Sequence, residues 1–159
     1  MYRLLIADDE MIERKVLFKT LSQNLKGQCE IFQAENGREA LEIYEKEKIQ
    51  IAILDIEMPG INGIQAAERI REKDKKCCII FLTAFDEFAY AKKAITVRAL
   101  DYLLKPWDEK ELMLVLEEAM RMAGEEKDFQ KEKTEEEKER MMKNAFLPES
   151  NQPVKIKPT

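Results

Sequence analysis

Ile51-Ala52-Ile53-Leu54-Asp55-Ile56-Glu57-Met58-Pro59-Gly60 sets four consecutive apolar residues before a carboxylate and a Pro-Gly turn. A strand wetted on one face alternates apolar with polar residues. An unbroken apolar run reads instead as a strand covered on both faces, as in a parallel sheet. Further apolar runs occur at residues 3–7, 29–34, 78–82 and 100–104. Amphipathic stretches separate them at 11–25, 37–47, 63–73 and 86–95, and a fifth begins at Asp108. In that fifth stretch Leu112, Val115, Leu116 and Ala119 lie on one helical face, and Asp108 with Glu111 reads as a capping box. Five repeats of strand and helix specify a doubly wound, five-stranded parallel α/β sheet. In such sheets the first and third strands are neighbours, and ligands bind beyond the carboxyl ends of the strands, where the strand order reverses.

Composition narrows the chemistry. The chain has 159 residues, 45% of them apolar, enough for one domain with a core and a modest extension. A formal net charge of -5 argues against a large nucleic-acid footprint, which needs a surplus of Lys and Arg. No apolar run is long enough to cross a bilayer, and Asp8 and Asp9 arrive too early for a signal peptide, so a cytoplasmic protein is expected. With no histidine in the chain, His-based zinc sites, Ser-His triads and an internal phosphohistidine are excluded. Cys29, Cys77 and Cys78 lack metal-ligand spacing and read as reduced strand residues.

Several polar residues stand at strand ends. Asp8 and Asp9 follow the first run, Asp55 the third, Thr83 the fourth and Lys105 the fifth. Singly, each has an ordinary explanation. Asp8-Asp9-Glu10 could be the acidic first turn of a helix. Asp55 could cap its turn, Thr83 could reflect β-propensity, and Lys105 could be solvated. Together they occupy one edge of one sheet. Three converging carboxylates repel, and a hard divalent cation such as Mg2+ relieves this with oxygen ligands. A threonine hydroxyl and a lysine ammonium beside them suit a phosphoryl group.

Leu5-Ile6-Ala7-Asp8-Asp9-Glu10, Leu54-Asp55-Ile56-Glu57-Met58-Pro59-Gly60-Ile61-Asn62-Gly63, Phe81-Leu82-Thr83-Ala84 and Ala99-Leu100-Asp101-Tyr102-Leu103-Leu104-Lys105-Pro106 resemble, in order and spacing, the response-regulator receiver domain of bacterial two-component systems. Chemotaxis receivers are themselves an instance of the ligand-placement rule used above. The resemblance covers about residues 1–123 and implies a flavodoxin-like fold. It further implies that Asp8, Asp9, Asp55 and the backbone carbonyl of Glu57 hold Mg2+, and that Asp55 accepts a phosphoryl group from a sensor histidine kinase. Thr83 and Lys105 then hold that group, and the Lys105–Pro106 bond is expected to be cis. Thr83 and Tyr102 are the implied switch pair, Tyr102 turning inward as Thr83 moves; an ordinary half-buried strand tyrosine is the competing reading. Glu57 and Phe85, each two residues beyond a site residue, are expected to flank the attacking water and tune the phosphoryl lifetime. Such a receiver catalyses only its own phosphorylation and dephosphorylation.

Residues 124–145 are rich in Glu and Lys and read as a charged helical linker; 146–159, with three prolines, read as a disordered tail. The opening Asp-Asp-Glu, residues 83–91 and Pro106-Trp107 look closest to YesN-type regulators, which carry an AraC-like DNA-binding output. Nothing after residue 123 has the content for such an output, so DNA would be reached only through a domain absent from this chain. A stand-alone receiver, serving as a phospho-dependent protein-binding module or phosphate sink, is the alternative. A phosphohydrolase of the haloacid-dehalogenase type would need an Asp-x-Asp pattern after the first strand and a cap domain, against Asp8-Asp9 and no cap here. A homodimer through the face made by the fourth helix, fifth strand and fifth helix is a further expectation, with Met113 or Leu114 exposed for it.

Overall fold

A computed structural model describes residues 1–125 and 134–146. Among the described residues, five strands form one parallel sheet: β1 (Tyr2–Ala7), β2 (Cys29–Ala34), β3 (Ile51–Leu54), β4 (Cys78–Thr83) and β5 (Asp101–Leu104). The helices are α1 (Met11–Asn24), α2 (Gly37–Glu47), α3 (Gly63–Lys73), α4 (Phe88–Thr96), α5 (Glu109–Gly124) and α6 (Glu135–Phe146). The strand order is β2-β1-β3-β4-β5, so β1 and β3 are neighbours and the order reverses between them.

Strand geometry sends successive side chains to opposite faces. Leu4, Ile6, Ile51, Ile53, Ile80 and Leu82 pack with Leu17 and Leu21 of α1 and with Leu112, Leu116 and Ala119 of α5. Leu5, Ala52, Leu54, Ile79 and Phe81 pack on the other face with residues of α2, α3 and α4. The unbroken apolar run of β3 thus serves two cores at once. Cys77 and Cys78 are buried and Cys29 is half-buried, close to the reading from sequence.

Local signals set the helix starts. Asp108 accepts from the Glu111 backbone N–H at 2.9 Å, and a full reciprocal box forms at Asn62 and Gln65. The fourth helix begins at Phe88, not 86, because Glu87 keeps an extended backbone; Asp86 and Glu87 therefore remain in the loop after Thr83. Leu114 is exposed as expected, whereas Met113 packs against the α1–α5 core.

The charged C-terminal segment contains a helix that packs on the domain. α6 lies against α4 and β5, with Met141 fully buried in the core cluster on that side. Pattern reading missed this because one methionine among Glu and Lys makes no periodic stripe. Residues 146–159 were read as a tail; all but Phe146 of that stretch lie outside the described residues.

Gly63 fixes how closely α3 approaches the sheet edge. A Cβ there would stand 1.9 Å from the backbone oxygen of Asp55, so a side chain must push the helix start away. Gly63→Ala should lower unfolding free energy by about 1–3 kcal/mol, the usual range for forced overpacking, as read by urea denaturation.

Candidate functional site

Backbone pairing carries the acidic residues to one place. The Asp55 N–H donates to the Ala7 carbonyl at 2.9 Å, so the residue after β3 sits beside the end of β1. The Asp8 N–H donates to Ala34 at 3.0 Å, fixing the residue after β1 against β2. Asp8, Asp9 and Asp55 each offer a carboxylate oxygen, all within 4.8 Å of one another. Asp8 is 4% and Asp55 8% exposed, and Asp9 faces solvent. Each buried acid also takes a local backbone donor: Glu10 N–H on Asp8 at 2.9 Å and Ile56 N–H on Asp55 at 2.7 Å.

Lys105 closes the cluster. β5 pairs with β4, and the Lys105 N–H donates to the Thr83 carbonyl at 2.8 Å. The Lys105–Pro106 bond is cis. The ammonium then donates to Asp8 at 2.7 Å, Asp55 at 3.0 Å and Glu13 at 2.6 Å. Burial alone would lower the Lys105 pKa; hydrogen bonds to Asp8, Glu13 and Asp55 outweigh it and raise the ammonium above its ordinary value. Lys105 is therefore charged at neutral pH. One ammonium among four carboxylates leaves the edge net negative, with hard oxygen donors that fit Mg2+.

Glu13 was not singled out from sequence. Its only signal was an acid in the first turn of α1, which the helix dipole explains equally well. Arg14 was also missed; its guanidinium donates to the Asp8 carbonyl at 2.7 Å and to Gln33 at 3.3 Å, pinning the loop after β1.

Thr83 is fully buried, and its Oγ1 accepts from the Phe85 N–H at 3.4 Å. Tyr102 is also fully buried, and its hydroxyl donates to the Phe85 carbonyl, so it is more enclosed than an ordinary half-buried strand tyrosine. Burial, with Asp86 and Glu87 nearby, raises the Tyr102 phenol pKa. Glu57 turns its carboxylate away from the acidic cluster to accept from the Tyr90 hydroxyl, which pushes the Tyr90 pKa up to about 12. Tyr90 meets Phe85 edge-on, with ring centroids 6.5 Å apart.

A doubly wound α/β protein with an acidic pocket and a charged lysine at its switch point has the ligand set of a hard-cation site. Comparison with known proteins gives the family. Residues 4–117 match the response regulator receiver domain, and the chain belongs to that family, the receiver domain of two-component systems. It is similar to the sensory transduction protein LytT of Oceanobacillus iheyensis, 40% identical over 116 residues, covering 71% of this chain and 46% of the relative. It is also similar to the uncharacterized transcriptional regulatory protein YesN of Bacillus subtilis, 35% identical over 118 residues, covering 74% of this chain and 32% of the relative. Among solved structures it resembles the REC domain of AraT, a response regulator from Geobacillus stearothermophilus. That match has a TM-score of 0.71 and 35% identity, covering 79% of this chain and 97% of that one. The chain spans less than half the length of both curated relatives. Among the described residues no helix is long and apolar enough to cross a membrane.

Because Lys105 already partners Asp8 and Asp55, it competes electrostatically with a bound cation. Lys105→Ala should tighten Mg2+ binding by roughly tenfold, equivalent to about 1.4 kcal/mol, read by titrating the fluorescence of Trp107. Unchanged or weaker binding would contradict that competition.

Proposed function

We propose that this chain accepts a phosphoryl group on Asp55 from a sensor histidine kinase and passes the change to a transcriptional output outside the chain. The observation that carries this reading is the Lys105 ammonium bonded to Asp8 and Asp55 together, with Asp9 beside them. Asp8, Asp9, Asp55 and the backbone carbonyl of Glu57 would hold Mg2+. When bound, Mg2+ neutralises charge on the carboxylates and the incoming phosphoryl oxygens.

An aspartate is ionised at neutral pH and needs no general base to act as nucleophile. An Asp55 carboxylate oxygen bonds to phosphorus as the phosphorus–nitrogen bond of the kinase phosphohistidine breaks, and the imidazole nitrogen takes a proton. Lys105 offsets phosphoryl charge, and the Thr83 hydroxyl donates to a phosphoryl oxygen. Return to the resting state requires water to attack phosphorus and release phosphate, regenerating the carboxylate. The protein thus catalyses only its own phosphorylation and dephosphorylation. The greater length of LytT and YesN supports a receiver joined to an output segment, with DNA contacted only through that segment. A cytoplasmic location follows from the proposed partners. A homodimer through the α4–β5–α5 face is part of the same reading.

Incubation with Mg2+ and acetyl phosphate should add one phosphoryl group by mass spectrometry. Uptake that persists in Asp55→Ala, or that ignores chelation of Mg2+, would overturn the reading. Glu57→Ala and Phe85→Ala should each change the phosphoryl half-life, followed as loss of the phosphoryl mass over time. Half-lives equal to wild type in both variants would remove Glu57 and Phe85 from that role.

A further inference from the structure

α6 packs along α4 and β5. Its first half, Glu135-Glu136-Glu137-Lys138-Glu139, is charged and mostly exposed. Met141 is fully buried and Met142 half-buried. The Arg140 guanidinium pairs with Asp101, whose carboxylate is almost wholly buried. The rest of the core on that side is filled by the sheet and by α2–α4. Met141 and the Arg140–Asp101 pair seat the second half of α6 against β5.

Its anchors bear on the segment that links the site to β5. Asp101 takes both Arg140 and the Tyr102 N–H, the latter at 2.8 Å. Met141 belongs to the same buried cluster as Tyr102, Phe81, Ala94 and Val97. Tyr102 holds the Phe85 carbonyl, and the Phe85 N–H rests on Thr83 Oγ1. A continuous path of bonds and packing therefore runs from Thr83, at the carboxyl edge of the sheet, to α6.

We propose that α6 is a strap closing the α4–β5 face in the unphosphorylated chain, and that phosphorylation of Asp55 releases it. The proposal rests on the acceptor reading above. A phosphoryl group at Asp55 draws the Thr83 hydroxyl to its oxygens and away from Phe85. The Phe85 carbonyl shifts, and with it the Tyr102 ring that shares the cluster with Met141. A second copy cannot use the α4–β5 surface while α6 occupies it, so release of α6 precedes dimerisation through that face. Binding linkage is reciprocal: if phosphorylation disfavours the docked strap, loss of the strap must favour the phosphorylated state.

The test uses the whole 159-residue chain. Hydrogen exchange across α6 is compared before and after treatment with Mg2+ and acetyl phosphate, with phosphorylation verified by mass. Exchange in α6 should speed up by roughly fivefold or more on phosphorylation. Met141→Glu and Arg140→Ala should show fast α6 exchange without phosphorylation and a higher phosphorylated fraction at limiting donor. Arg140→Lys, which keeps a cation for Asp101, should stay near wild type. Unchanged α6 exchange in chain verified as phosphorylated would overturn the strap and leave the acceptor reading standing. So would undocked variants whose phosphorylated fraction matches wild type. No uptake by the wild-type chain would overturn both.

Discussion

Mutual repulsion among Asp8, Asp9 and Asp55 is the constraint around which the sheet edge is arranged. Their oxygens lie within 4.8 Å of one another, a separation at which two unit charges near a protein surface repel by roughly 3 kcal/mol. Backbone pairing of β1, β3 and β2 imposes that closeness. The relief comes from elsewhere in the chain: Lys105, delivered by β5, donates to Asp8, Asp55 and Glu13. Removing the lysine leaves buried charge without its partner, and removing the acids leaves a half-buried ammonium without its own. Net negative charge remains, and with its hard oxygen donors it suits the pocket to a divalent cation.

The same strands connect this edge to a distant surface. β4 ends in Thr83, and β5 carries Asp101 and Tyr102 before it reaches Lys105. One short strand therefore contributes a group to the pocket at one end and a buried carboxylate to α6 at the other. Tyr102 stands between them and ties β5 to the loop after β4 through Phe85. Glu57 and Tyr90 tie the loop after β3 to α4 on the same side. Hydrogen bonds thus link the loops beside the pocket to α4 and β5, and Tyr102 shares its buried cluster with Met141 of α6.

Much of the fold was legible before any coordinates. Five strands and five following helices fall within a few residues of their expected bounds, because continuous apolar runs and 3.6-residue periodicity each report a burial pattern directly. Placing Asp8, Asp9, Asp55, Thr83 and Lys105 at one edge followed from parallel-sheet topology alone. Glu13 and Arg14 were not legible: an acid and a base in the first turns of a helix carry no mark of what they touch. The late start of α4 was missed because Asp86 and Glu87 suit a helix start as well as a loop. The docking of α6 was missed because a single buried methionine has no period.

By itself the sequence determined the alternation of buried strands and amphipathic helices, and with it the edge at which the polar residues gather. Local patterning suffices for that, since each element reports its own burial through its own residues. Only the tertiary structure decided that Lys105 bridges Asp8, Asp55 and Glu13, that Glu57 turns to Tyr90, that Tyr102 is enclosed and bound to Phe85, and that Met141 and Arg140 seat α6 on α4 and β5. Those are pairings between residues as much as 97 positions apart. Which side chain meets which at that range is settled by how the packed layers register against one another, and nothing local encodes it.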